Sequence, residues 1–174
     1  MATYLVGILA PLRRFDPLIP PGYEPIPLEE RHLTLIYLGY LEDSREVAAR
    51  LKRAASLSPF RLCFRGLEPF PSPLKPRYLA VVPVEESREL LGAVRRAVEE
   101  LTGLAPRDRY QAFRPHVSIA RTRLKPSLEL LKAVEKAVRK SRNMVEELLI
   151  HELFLLRAEG GRIEKIASLE LKGA

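Results

Sequence analysis

Apolar positions recur along this chain with two periods, two residues in some stretches and three to four in others, and the switches between them mark out strands and helices. Thr3 to Leu9 alternates loosely through Tyr4, Val6 and Ile8 and predicts a strand ended by Pro11. Pro17, Pro20, Pro21, Pro25 and Pro27 follow, too many for a helix or a central strand, so Pro11 to Pro27 is a loop or extended arm. Arg31 to Gly39 is a strand on which His32 and Thr34 share one face while Leu33 and Leu35 share the other. Asp43 can cap a helix, with Glu46 completing a capping box, and that helix runs to about Leu57 with Val47, Leu51, Ala54 and Ala55 inward. Phe60, Leu62 and Phe64 alternate with Arg61, Cys63 and Arg65 in a strand ending at Gly66. A proline-rich turn, Pro69 to Pro76, leads to a strand over Tyr78 to Val84. Ser87 caps a helix that carries Leu90, Leu91, Val94, Val98 and Leu101 at helical spacing and stops at Gly103.

Arg107 to Arg114 is a basic loop that delivers a second histidine strand, Pro115 to Arg121. Pro126 and Ser127 open a third helix with Leu130, Leu131, Val134 and Val138 as its stripe. Two closing strands, about Leu148 to Ala158 and Ile163 to Leu171, flank Glu159-Gly160-Gly161-Arg162 and form a hairpin. Moving the chain on itself by 84 positions lays His32 on His116 and brings the helix starts Asp43-Ser44 and Ser127-Leu128 together. Each half thus holds a histidine strand, a short link and an amphipathic helix, the signature of a duplication. The fold class expected is α+β, with two similar lobes of antiparallel strands.

Composition narrows the setting. At 174 residues and 47% hydrophobic, the chain fits one domain or two small lobes and can bury a core without metals or disulfides. No stretch reaches the length of a membrane span and the start lacks a signal-peptide pattern, so the cytoplasm is the expected location. The lone Cys63 lies in an apolar run and reads as a buried, inert thiol. Twenty-nine basic against twenty-two acidic residues give a net charge of +7, which favours anionic partners and makes nucleic acid plausible. One Asn, one Gln and fifteen Pro beside many Arg, Glu and Lys lean towards a thermophile composition.

The chemistry lies in the repeated motif H-x-[T/S]. A lone strand histidine is commonly structural, but two copies in matching registers, each with a hydroxyl two residues on, form a kit for displacement at phosphorus. One imidazole takes a proton, the other gives one, and the hydroxyls hold the phosphate oxygens. Metal-binding spacings such as H-x-H, H-E-x-x-H and C-x-x-C are absent, as are the ATP loop and the serine elbow. His151 has no hydroxyl at 153 and reads as structural.

His32-Leu33-Thr34-Leu35 and His116-Val117-Ser118-Ile119 resemble the paired signatures of the 2H phosphoesterase superfamily. The flanks Tyr37-Leu38-Gly39 and Phe113-Arg114-Pro115…Ala120-Arg121 resemble its RNA 2′,3′-cyclic phosphodiesterase branch, also called 2′-5′ RNA ligase. The likeness covers nearly the whole chain, including Gly66-Leu67…Phe70-Pro71 and the Gly160-Gly161 hairpin. It implies a bilobal α+β fold with a pseudo-twofold axis, helices outside and a central groove. It further implies no metal or other cofactor, and hydrolysis of a terminal 2′,3′-cyclic phosphate to a 2′-phosphate, with weak ATP-independent 2′-5′ ligation as the reverse. His32 and His116 match the acid and base, Thr34 and Ser118 the phosphate-binding hydroxyls, and Arg121 a frequent arginine that could contact phosphate. Two departures stand out: the proline-rich segment replaces a helix found in many members, and Ser118 replaces threonine.

The expected partner is RNA ending in a 2′,3′-cyclic phosphate, tRNA fragments being one such class, bound by a monomer with no membrane involved. In the basic loop, Arg107, Arg109, Tyr110 and Phe113 are candidate RNA contacts, guiding the end towards His116. The alternatives are a phosphodiesterase for another cyclic nucleotide phosphate or a 2′-5′ oligonucleotide, or a non-catalytic RNA-binding module; the last would want stacking aromatics in the RNP pattern, which is absent.

Overall fold

A computed structural model describes residues 1–107 and 111–173. Its strands are β1 (Thr3–Leu9), β2 (Glu24–Pro25), β3 (His32–Gly39), β4 (Phe60–Ser72), β5 (Lys75–Pro83), β6 (Val117–Arg121), β7 (Val145–Ile150), β8 (Glu152–Glu159) and β9 (Arg162–Glu170); its helices are α1 (Ser44–Leu51), α2 (Glu85–Thr102) and α3 (Leu128–Ser141). The strands form one antiparallel sheet in the order β7-β4-β5-β6-β3-β1-β8-β9, with short β2 on β6. The two four-stranded halves meet where β3 pairs with β6, so the expected α+β architecture of two matching halves is what the chain adopts. Among the described residues no helix is long and apolar enough to cross a membrane.

The main core lies between one face of the sheet and the helices. Leu33, Ile36, Phe64, Leu79 and Val117 pack there with Val47 and Leu51 of α1, Leu91 and Val98 of α2, and Leu130 and Val134 of α3. Fully burying each such side chain stabilises by about 1.5–3 kcal/mol. The caps follow sequence chemistry at α1 and α3: Asp43 accepts from the amides of Arg45 and Glu46, and Ser127 accepts from that of Leu130. Gly103 ends α2 in the left-handed conformation with φ 71°.

Other boundaries differ from the expectations. The first helix is α-helical only to Leu51 and tightens to 3₁₀ over Lys52–Ser56. Ser87 does not cap α2, which begins at Glu85; its hydroxyl instead accepts the Cys63 amide. Cys63 is half-buried, on the strand face opposite Leu62 and Phe64. Pro69 to Pro76 is not a turn, because β4 and β5 stay paired from Leu67 and Val81 out to Ser72 and Lys75. Prolines are tolerated there because β7 pairs only with Phe60 to Arg65, leaving the far half of β4 with a free edge. The first closing strand breaks at His151 into β7, at one end of the sheet path, and β8, next to β9 at the other.

The proline-rich arm is held by Arg31, which is 2% exposed. Its guanidinium donates to the carbonyls of Leu12 and Ile26 and pairs with Asp16 at 2.6 Å. The Tyr23 hydroxyl donates to the Pro76 carbonyl, and the Thr122 hydroxyl to that of Gly22. These bonds pin the arm beside the start of β3.

Candidate functional site

Leu33 of β3 pairs with Val117 of β6, and these residues are separated by the same 84 positions as the two motifs. An antiparallel pair has a local twofold axis through it, so this register relates His32 to His116 and Thr34 to Ser118. It also sets His32 opposite Ser118 and Thr34 opposite His116, all four on one face, while Leu33 and Val117 are fully buried on the other. Diagonal neighbours across such a pair lie on the order of 7 Å apart at their backbones, near enough for both imidazoles to reach one phosphate.

The symmetry extends to irregularities. β3 skips Leu35 in its pairing with β1, and β6 skips Ile119 in its pairing with β5, so each motif is followed by a one-residue bulge at the same place. A bulge shifts every later side chain to the other face. Tyr37 therefore joins Thr34, and Arg121 joins Ser118, on the histidine face. The residues beside the hydroxyls are small: Gly7 pairs with Thr34 and Ala80 with Ser118. A Cβ at Gly7 would stand 2.8 Å from the Leu33 carbonyl oxygen, so only glycine lets β1 follow the bulge.

Each imidazole is held the same way. His32 Nδ1 lies 2.9 Å from the Glu30 carbonyl oxygen and His116 Nδ1 2.7 Å from that of Arg114. A carbonyl only accepts, so Nδ1 carries the hydrogen and Nε2 carries the lone pair in both neutral rings. Burial pushes both histidines below their ordinary value of 6.5, and the carbonyl hydrogen bonds partly oppose it. Their neighbours differ: the Glu30 charge favours imidazolium at His32, whereas Arg114 and His32 itself disfavour it at His116, with Glu68 acting the other way.

The surroundings break the symmetry. On the His116 side a cleft of about 240 Å³ is lined by Thr34, Tyr37, Phe70, Arg95, Phe113 and His116. Phe70 stacks on the His116 ring, with centroids 4.1 Å apart and planes within 13°, and the Arg114 guanidinium lies 4.5 Å from the Phe70 centroid. On the His32 side the tip of the β8–β9 hairpin occupies the corresponding ground. Arg121 donates to the Gly161 carbonyl at 3.0 Å, and Glu30 accepts the Ile163 amide at 2.8 Å. Gly160 and Gly161, at φ 58° and 76°, supply the left-handed pair that this two-residue turn needs.

The structure thus brings His32, Thr34, His116 and Ser118 together, with Arg121 on their face, its guanidinium bonded to the hairpin. Phe113 lines the cleft. Arg107 is placed elsewhere: its side chain packs against Gly39 and its amide donates to the Tyr37 carbonyl. Arg109 and Tyr110 lie outside the described residues. Sequence reasoning passed over Phe70, hidden in a stretch resembling a turn, and Arg95, hidden on the polar face of α2. It used Tyr37 only as a flank; the paired bulges that turn it inward leave no mark in the hydrophobic pattern.

A family model described as the 2′-5′ RNA ligase superfamily matches residues 11–162. The chain is 32% identical over 163 residues to the RNA 2′,3′-cyclic phosphodiesterase of Thermus thermophilus, covering 81% of this chain and 79% of that one. It is also 32% identical over 107 residues to the RNA 2′,3′-cyclic phosphodiesterase of Archaeoglobus fulgidus, covering 60% of this chain and 58% of that relative. Among solved structures, TT0787 of Thermus thermophilus superposes with a TM-score of 0.67 at 22% identity over 98% of both chains. E. coli LigT in its apo form does so with a TM-score of 0.64 at 16% identity over 99% of both.

Proposed function

We propose that this chain, which belongs to the 2′-5′ RNA ligase superfamily, hydrolyses the terminal 2′,3′-cyclic phosphate of RNA to a 2′-phosphate by acid–base catalysis between His116 and His32. The observation that carries this reading is the twofold arrangement of the motifs, with both Nδ1 atoms tied to backbone carbonyls, which leaves the lone pair of each ring on Nε2. The shared activity name of the two relatives supports the choice of reaction.

In this mechanism, neutral His116 takes a proton from water as its oxygen bonds to phosphorus, and imidazolium His32 donates to the 3′ oxygen as the P–O3′ bond breaks. The charges around the rings favour these roles, with a carboxylate beside His32 and a guanidinium beside His116. Thr34 and Ser118, on opposite sides of the axis, donate to the non-bridging oxygens, which gain charge in the transition state. Arg121 supplies further positive charge on the same face. With a 5′-hydroxyl in place of water, the same proton transfers form the new P–O5′ bond as P–O3′ breaks and the 3′ oxygen takes the proton, giving ATP-independent 2′-5′ ligation. The enzyme acts as a cytoplasmic monomer in which 1–174 is one domain, and its proton transfers call on no metal ion.

The test is turnover of nucleoside 2′,3′-cyclic phosphates by the purified protein in EDTA and without ATP, with 2′- and 3′-phosphate products separated. Accumulation of the 2′-phosphate is expected. Exclusive 3′-phosphate, or activity abolished by the chelator and restored by one divalent ion, would overturn the reading.

A further inference from the structure

The cleft on the His116 side does not end at Phe113. A second cleft, of about 390 Å³, shares Arg95, Gln111 and Phe113 with it and continues along α2 past Gly92 and Arg96. Gly92, Arg95, Arg96 and Glu99 recur at i, i+3, i+4 and i+7, so they form one stripe of the helix that walls this groove. Arg95 lies with its guanidinium carbon 4.6 Å from the Phe113 centroid and pairs with Glu99 at 3.5 Å, while Arg96 is exposed. Gly92 costs the helix about 1 kcal/mol relative to alanine. Among the described residues nothing requires it, because a Cβ there would meet only Arg96 Nη1, at 3.6 Å. The helix is thus bare where the groove passes. On the His32 side the matching ground is occupied by the Gly160-Gly161 turn, held by Arg121 and Glu30.

We infer that the nucleotides preceding the cyclic-phosphate end leave the reaction centre on the His116 side and run as a single strand along this groove, over Phe113 and Arg114 to Arg95 and Arg96. An oligonucleotide is then preferred over a free mononucleotide, and α2 is its track. Arginines placed along the path match the backbone charge, and the exposed part of Phe113 offers a face on which a base can stack. The occupant is single-stranded, because the groove starts in a cleft whose inner end holds a terminal phosphate between two histidines. This inference rests on the cyclic-phosphodiesterase reading for the identity of that terminus.

Two measurements on the wild type, Arg96→Ala and the double variant Arg95→Met with Arg96→Ala test it, with melting temperature checking the fold. The first compares kcat/KM for a pentaribonucleotide and a mononucleotide, both ending in a 2′,3′-cyclic phosphate. The wild type should favour the pentanucleotide, and the double variant should lose about tenfold of that preference, the low end for hydrogen bonds to charged groups. The second is binding of a single-stranded RNA pentamer with a 3′-phosphate as salt is raised, where the slope should fall by about 0.7 for each phosphate contact removed. An unchanged preference and slope, or equal loss on both substrates, overturns the track. If the wild type opens neither substrate, the catalytic reading falls, and the salt slope alone decides the track.

Discussion

Thr34 and Ser118 occupy twofold-related positions beside the histidines, and their hydroxyls are half-exposed to the cleft face while Leu33 and Val117 between them are buried. In the proposed mechanism their role is chemical and not a matter of packing. A hydrogen bond to a charged group is worth about 1.5–3 kcal/mol, so Thr34→Val or Ser118→Ala should lower kcat/KM roughly 10- to 150-fold. Thr34→Ser, which keeps the donor, should be far milder, and all three should melt close to the wild type. A fully active Thr34→Val enzyme would contradict the assignment.

In the proposed mechanism the histidines also set the pH profile. Burial lowers both below 6.5, so the base is neutral, and the acid loses its proton, at a lower pH than free imidazole would. The bell-shaped profile of kcat/KM for the free enzyme should accordingly lie on the acid side of 6.5. Residual activity of His116→Ala should lack the acid limb, and that of His32→Ala the basic limb. The reverse pattern would exchange the two roles.

At the scale of elements, the arm from Pro11 to Pro27 lies beside the start of β3 with one 3₁₀ turn over Asp16–Leu18 and no α-helix, and Arg31 holds it there. Arg31→Met should leave the Leu12 and Ile26 carbonyls without their donor. The loss, about 1–3 kcal/mol for an orphaned buried group, is readable as a lower urea midpoint. A variant as stable as the wild type would show that the prolines hold the arm unaided. This part of the fold was only half legible in the sequence. Proline positions exclude a helix, but Arg31 looks like any charge beside a strand until its partners, well apart in the chain, are brought to it. The opposite is true of α1 and α3, whose caps and stripes are local signals, and of Gly103. Ser87 shows how such a signal misleads: its hydroxyl is spent on the Cys63 amide of a neighbouring strand.

At the scale of the molecule, the twofold was legible because the repeat carries its own register. The offset between the histidine motifs is also the offset between the paired residues Leu33 and Val117 and between the bulges at Leu35 and Ile119. What the repeat could not show is where the symmetry fails. Phe70 reaches His116 from a long hairpin, and the β8–β9 tip closes the other side; both depend on how strands remote in sequence curl across the sheet face. One reaction centre with two like rings and unlike surroundings can thus present an acid to one side of a phosphodiester and a base to the other.

The central claim is that His32 and His116 act as one acid–base unit. Its most direct test is kcat for His32→Ala, His116→Ala and the double variant on a 2′,3′-cyclic phosphate substrate, each protein checked for an unchanged melting profile. Each single variant should lose roughly 10²- to 10⁴-fold, and the double variant should lose far less than the product of the two, because groups acting together are not additive. Turnover near the wild type in either single variant, or losses that multiply in the double, would contradict it.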